Sequence, residues 1–155
     1  QLQSSKLVGV ATEARQKLVE SLITAAKVTV PQNVIDDEVV RHLASEGRED
    51  DTVHGEEVAE QTRKSLSEQF VLDALAETLE VKVENDDVAN YLMQLAQRYG
   101  ATPQDLANTL QENGQMNQAV SDVARSKALS VALNKVQVVD SKGKAVDLSP
   151  VLGNL

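Results

Sequence analysis

The two histidines of this chain, His42 and His54, are the side chains whose chemistry best suits a metal ion. Both stand among acidic residues, so a metal site would pair them with Glu46, Asp50 or Asp51 as further ligands. Their spacing matches no two-histidine ligand pattern, and His54 lies in a polar segment with few apolar residues to hold it in place. We therefore predict two solvated histidines on the surface and no metal site.

Two acidic runs could be considered as calcium-binding loops. Glu49-Asp50-Asp51 lacks the alternate-residue spacing and the closing glutamate of an EF-hand. The second run, Glu84-Asn85-Asp86-Asp87, precedes a helical pattern and is better explained by helix capping, with Asn85 or Asp86 as the N-cap residue. We therefore expect no calcium site in either run.

No combination of residues typical of catalysis or cofactor binding is present. Cysteine is absent, which excludes disulfides, thiolate nucleophiles and cysteine-based zinc sites. The sequence contains neither a Gly-x-Ser-x-Gly motif nor a glycine-rich phosphate loop. The formal charge of −9 disfavours direct binding to nucleic acid or to an anionic membrane. We expect no enzymatic activity and no cofactor.

The elements that carry these residues are predicted to be helices, because apolar residues recur at steps of three and four along most of the chain. The polar segment Ser45–Glu57 is expected to be a mobile loop. The sixth helix is apolar on several sides and should be the central buried one. The predicted helices cover roughly Leu2–Ala26, Gln32–Ser45, Glu56–Leu79, Asp86–Tyr99, a short segment from Pro103 to before Asn113, and Met116–Lys135.

One pattern occurs twice: an apolar helix tail, a short Val-x-Val, and a second amphipathic helix. The first copy contains Val28-Thr29-Val30-Pro31 and the second contains Val81-Lys82-Val83-Glu84. β-Branched residues favour extended backbone, and the residue before a proline avoids the α region. Each Val-x-Val is therefore predicted to form an extended corner between two helices. Two such corners indicate an extended helical scaffold and not a compact enzyme. The tail, Val136–Val139 and Ala145–Leu148 around a turn, should form a short hairpin or stay extended.

A group of apolar residues lies around the turns that join the fourth, fifth and sixth helices. Leu95 and Tyr99 are one turn apart on the fourth helix, and Leu106 and Leu110 are one turn apart on the fifth. These residues are either part of the core or the lining of an open groove that binds variable apolar partners. The candidate binding residues are Leu95, Tyr99, Leu106, Leu110, Met93 and Met116.

Three parts of the chain, in this order, resemble the C-terminal domain of the bacterial chaperone trigger factor. Ala14–Leu22 followed by Val30–Ile35 is similar to that family's first helix, Val-Pro corner and acidic helix start. Phe70–Ala76 followed by Val81-Lys82-Val83 resembles its long return helix. Leu95–Leu106 resembles its Met-Ala-x-x-Tyr-x-x-x-Pro segment, with leucine at the first position. The segment Ala-Gln-Arg-Tyr-Gly and the Asp-Ser-Lys-Gly segment of the tail are typical of an actinobacterial member.

The resemblance implies an all-α fold with a helical body and two long protruding helical arms. The arms would cover about 1–70, the body about 71–135 and the tail 136–155, within a single chaperone domain. The implied function is ATP-independent binding of unfolded or nascent polypeptide in the cytoplasm, through apolar patches in a helical cradle.

The same resemblance implies parts that this sequence lacks. It contains no Gly-Phe-Arg-x-x-Lys ribosome-docking loop and no five-stranded prolyl isomerase domain, and it does not begin with Met. We therefore expect a piece of a longer protein, in which ribosome binding and isomerase activity belong to other domains. Two alternatives stay open: an all-α adaptor or structural domain with one folded partner, and a periplasmic chaperone core of the SurA type.

Overall fold

The computed structural model describes residues 2–140 and 142–148, with side chains from residue 7 onward. Within these ranges the chain is all-α apart from one short pairing near its C-terminal end, which confirms the predicted fold class. The bounds of the first and sixth helices also agree with the prediction. The helices are α1 Leu2–Ala26, α2 Gln32–Glu46, α3 Thr52–Thr78, α4 Asn85–Tyr99, α5 Pro103–Glu112 and α6 Met116–Lys135.

The chain divides into two compact units, and the divisions fall inside α1 and α3. The body unit combines the chain up to residue 15 with the chain from residue 72 onward. The hairpin unit is the continuous segment 16–71, which holds the end of α1, all of α2 and most of α3.

The core of the body unit is built around α6, as its apolar sequence predicts. This helix is in contact with both α4 and α5. Leucine, valine and alanine supply the buried side chains, so the helices can approach closely without large aromatic residues. The buried apolar residues of this unit are Ala11, Leu92, Ala96, Ala119, Val123, Ala128, Leu129, Leu133 and Leu148.

In the hairpin unit, α2 and α3 lie side by side and run in opposite directions. Gly55, near the start of α3, is buried against the C-terminal half of α2, and a β-carbon placed on it would lie 3.4 Å from Leu43 Cδ1. Towards the other end of α2, Gln32 Oε1 accepts a hydrogen bond from Arg63 Nη2 at 3.2 Å. The missing side chain at Gly55 leaves room there for the side chains of Leu43 and Val39.

The turn between α2 and α3 is much shorter than the loop Ser45–Glu57 that the sequence predicts, and that prediction is wrong at both ends. Gly47 adopts the left-handed conformation with φ of 65°, and the N–H of Arg48 donates to the carbonyl of Leu43 at 2.9 Å, so α2 ends in a closed Schellman turn. Asp51 then caps α3, because its Oδ1 accepts from the N–H of His54 at 3.0 Å. The turn itself covers only residues 47–51.

The two Val-x-Val corners have the same backbone geometry. In each, the residue before the first valine is left-handed although it is not glycine: φ is 49° at Lys27 and 50° at Glu80. The next N–H then bonds back into the helix, from Val28 to the Ile23 carbonyl at 3.4 Å and from Val81 to the Ala76 carbonyl at 3.0 Å. The sequence repeat therefore corresponds to a repeated way of ending a helix.

The caps of α4 differ in one respect from the prediction of Asn85 or Asp86 as N-cap. Glu84 is the N-cap residue instead, and its N–H donates to Asp87 Oδ2 at 2.8 Å in a capping box. The helix thus begins one residue earlier than predicted from the acidic run. In the tail, Val139 and Ala145 form an isolated antiparallel bridge, which is a short form of the predicted hairpin.

Candidate functional site

The candidate residues of the body unit are positioned by the turn between α4 and α5. Gly100 is left-handed, with φ of 65°, and ends α4 as its sequence predicts. Thr102 Oγ1 then accepts from the N–H of Asp105 at 3.1 Å, and Pro103 begins α5. These local signals fold α5 back so that it contacts both α4 and α6. The helices that carry the candidates are therefore brought together.

None of the six candidates is fully buried, and their exposure falls into two groups. Tyr99 is 70% exposed and Met93 is 49% exposed. Leu95, Leu106, Leu110 and Met116 are half-buried, and no residue of α5 is buried. The apolar residues of α5 therefore contact the neighbouring helices and remain partly open to solvent.

Four of the candidates form two pairs, each on one face of its helix, and Met93 belongs to neither pair. Residues three or four apart share a helix face, so Leu95 lies beside Tyr99, and Leu106 lies beside Leu110. Met93 and Leu95 are only two residues apart and point to nearly opposite sides of α4. The buried Leu92 and Ala96 lie between these two sides. The apolar surface of α4 thus consists of two edges on either side of a buried face.

Charged contacts join helices of the body unit. Arg125 is buried and donates to Asp73 Oδ1 at 3.1 Å and to Asp122 Oδ1 at 2.8 Å. Lys127 Nζ donates to Asp87 Oδ2 at 2.6 Å, and this hydrogen bond, with that from the Glu84 N–H, lowers the pKa of the Asp87 carboxyl. These ion pairs fix α6 against the end of α3 and the start of α4 and present no reactive arrangement.

The hairpin unit contains a cluster that the sequence prediction of two solvated histidines missed. The Nε2 atoms of His42 and His54 are 3.3 Å apart, and both lie next to the Glu46 carboxylate. The side chain of His54 is only 21% exposed. The His42–Glu46 spacing of four residues was the available signal, but His54 joins them only because α2 and α3 pack in opposite directions.

A groove of about 750 Å³ runs along α2 and α3 from this cluster. Val34, Val58 and Leu66 supply apolar lining, and Glu38 and Arg41 line it from α2. Its mixed lining was not anticipated from the sequence, because it depends on which faces of the two helices are left uncovered.

Comparison with known proteins identifies the family. A family model described as the C-terminus of bacterial trigger factor protein matches residues 1–134. The chain belongs to the trigger factor family. The matched region is the family's C-terminal domain, which is not a catalytic domain.

Relatives of this trigger factor domain come from actinobacteria, in agreement with the sequence resemblance. The trigger factor of Clavibacter michiganensis subsp. michiganensis is 42% identical over 149 residues, which cover 96% of this chain and 31% of that protein. The trigger factor of Beutenbergia cavernae is 40% identical over 154 residues, which cover 99% of this chain and 33% of that protein. The chain thus spans about a third of the length of the curated relatives it matches.

A solved structure of trigger factor domains from Thermotoga maritima has the same fold. The TM-score is 0.65 at 18% sequence identity, and the match covers 84% of this chain and 85% of the other. At this identity the likeness supports the fold of the domain. Among the described residues, no helix combines the length and apolar character needed to cross a membrane.

Proposed function

We propose that this domain binds unfolded or nascent polypeptide, without ATP, through the apolar strip formed by Leu95, Tyr99, Leu106 and Leu110. Membership of the trigger factor family supports a chaperone role. The observation that supports this location is the exposure of the Tyr99 ring on α4, together with the half-burial of Leu95, Leu106 and Leu110 on the two packed helices α4 and α5. A tyrosine with an apolar body and a polar tip can remain in water and still pack against a client side chain.

Met93 and Met116 extend the proposed surface beyond the strip. Methionine is flexible and adapts to apolar partners of different shape, which suits clients without a fixed sequence. Several such patches, each holding a short segment weakly, give useful affinity when one chain engages them together. The net charge of −9 keeps the domain soluble and favours basic client segments.

The remaining parts of the expected chaperone activity are assigned to the longer protein. We propose that ribosome contact and prolyl isomerase activity reside in domains outside these 155 residues, and that the protein acts in the cytoplasm. This domain would then contribute only the binding of unfolded polypeptide.

The test uses one client protein in two forms: a form that stays unfolded and the folded form, which is the control. The dissociation constants of the two forms are compared. We expect Tyr99→Ser combined with Leu110→Ser to weaken binding of the unfolded client by about tenfold, because two contacts of roughly 1 kcal/mol or less are lost. Met93→Ser, on the other edge of α4, reports separately on that side. Fluorescence anisotropy of the labelled client measures the dissociation constant.

The matched control is Val8→Ser combined with Val136→Ser. These valines belong to the body unit, lie outside the strip, and are 42% and 44% exposed. The control should leave client affinity unchanged. If it weakens binding as much as the Tyr99 and Leu110 pair, the strip is not the site. If the strip variant instead melts far below the control, those residues are core. Preferential binding of the folded client would favour the adaptor alternative.

A further inference from the structure

We propose that His42, Glu46 and His54 form a binding site for a divalent transition-metal ion of the zinc type, which joins the C-terminal end of α2 to the first turn of α3. The three residues belong to the hairpin unit and lie within one cluster whose ligand atoms are all within 4.8 Å of one another. The site is distinct from the proposed client-binding strip and does not depend on it.

The separations between the ligand atoms are those of a tetrahedral metal centre. His42 Nε2 lies 3.3 Å from His54 Nε2 and 3.3 Å from Glu46 Oε1, and His54 Nε2 lies 3.2 Å from Glu46 Oε2. Ligands about 2.0–2.1 Å from a zinc ion at tetrahedral angles are roughly 3.3–3.4 Å from each other. The backbone therefore already brings the three side chains to ligand spacing, and rotation of the side chains would direct both Nε2 atoms and one Glu46 oxygen at a common ion.

The ligand types select the class of metal. Two imidazoles and one carboxylate suit Zn²⁺ and its neighbours, whereas Ca²⁺ and Mg²⁺ prefer sites made only of oxygen atoms. Three protein ligands leave a fourth tetrahedral position for water. The side chains of His42 and Glu46 are 37% and 39% exposed, so this position is open to solvent.

Neighbouring residues orient the ligands. His54 Nδ1 lies 3.4 Å from Glu57 Oε2, so an N–H at Nδ1 can donate to that carboxylate and leave Nε2 free to bind the metal. Arg48 reaches Glu46 Oε2 at 3.4 Å and Asp51 Oδ2 at 2.7 Å. Asp51 in turn holds the N–H of His54, so one guanidinium connects two of the three ligands.

The local charge favours a dication over an unmetallated pair of histidines. Glu46, Glu57 and Asp51 contribute three negative charges and Arg48 contributes one positive charge, which leaves a surplus of two negative charges around the two imidazole rings. Without a metal, the two Nε2 atoms face each other at 3.3 Å beside the Glu46 carboxylate. A divalent ion satisfies both nitrogens and the carboxylate together.

The test titrates the metal-free chain with Zn²⁺ by calorimetry. We expect one ion per chain. The melting temperature should rise with Zn²⁺ concentration, because the ion binds only the folded hairpin unit. His42→Gln and His54→Gln should each lower the affinity by about 100-fold or more, since even the loss of an outer partner typically costs about 10–100-fold. Glu57→Gln should lower it by about tenfold.

Glu49→Gln is the matched control for Glu46→Gln. It removes the same charge three residues further along the chain, in the turn after α2, but no ligand, so it should bind Zn²⁺ like the parent chain. Equal losses in Glu46→Gln and Glu49→Gln would mean that the acidic surface attracts the ion without a site. Unchanged binding in both histidine variants would overturn the proposal.

Cobalt provides a readout that does not depend on any variant. Co²⁺ in the parent chain should give the intense visible absorption of a tetrahedral centre, and excess Zn²⁺ should remove it. The pale spectrum of an octahedral aquo ion would overturn the site even if a histidine variant failed to fold.

Discussion

Single residues decide which side chains fit between the helices of this domain, and Gly55 is the clearest case. A methyl group at this position would meet Leu43 Cδ1 at 3.4 Å and Val39 Cγ1 at 3.5 Å, which are ordinary contact distances to side-chain atoms. We expect Gly55→Ala to raise the free energy of unfolding by about 0.4–1 kcal/mol, because it reduces the freedom of the unfolded chain and fits the helix.

A larger residue at the same position tests how much space lies between Gly55 and the side chains of α2. Gly55→Leu cannot fit between α2 and α3 without moving them, so we expect a loss of about 1–3 kcal/mol. Urea denaturation of both variants measures the change. A loss for Gly55→Ala as large as that for Gly55→Leu would show that the glycine is required for its backbone and not for its size.

At the scale of elements, the repeated corners carry a conformational cost that the sequence does not reveal. Glu80 is left-handed without being glycine, and such a conformation costs an ordinary residue about 1–2 kcal/mol. We expect Glu80→Gly to leave stability unchanged or raise it by up to about 1 kcal/mol, because relief of this cost offsets the added freedom of the unfolded chain.

The same substitution inside a helix provides the comparison. Glu77→Gly, three residues earlier in α3, should lower stability by about 1 kcal/mol, since glycine disfavours the helix. In thermal melts, the changes in stability caused by Glu80→Gly and Glu77→Gly should therefore have opposite signs or differ by at least about 1 kcal/mol. Equal losses would contradict the left-handed geometry at Glu80. Lys27→Gly tests the other corner in the same way.

At the scale of the whole molecule, protection against amide exchange should follow the burial of α6. We expect slow exchange from Val120 to Leu133, where Val123, Ala128 and Leu129 are buried. Within residues 45–57, exchange should be fastest at 47–51, whereas residues 55–57 should be protected because their N–H groups donate to carbonyls one turn earlier. Hydrogen exchange with mass spectrometry measures both. Fast exchange throughout 45–57 would instead support the longer loop that the composition suggests.

Much of this architecture could be predicted from local signals. Gly100, Thr102 and Pro103 fix one turn by their own backbone chemistry, and α6 was recognisable because it is apolar on several sides. The shortness of the α2–α3 turn was missed because its polar composition hides two specific roles, the left-handed Gly47 and the capping Asp51.

The sites were harder to predict than the helices, because they depend on packing. His54 reaches His42 across twelve residues only when α2 and α3 pair in opposite directions. Whether Leu106 and Leu110 are core or surface depends on how deeply α5 lies on its neighbours, and their half-burial is intermediate between the two predictions.

The different placement of charge in the two units has a consequence for ionic strength. The pairs Arg41–Glu38 and Arg48–Asp51 of the hairpin unit lie among solvent-exposed side chains, where dissolved ions screen them. The Arg125 guanidinium of the body unit is only 9% exposed, so dissolved ions approach it poorly, although its partners Asp73 and Asp122 are 54% and 39% exposed. A change from dilute buffer to concentrated salt should therefore weaken the exposed pairs of the hairpin unit and the partly exposed Lys127–Asp87 pair of α6 more than the contacts of the buried Arg125 guanidinium.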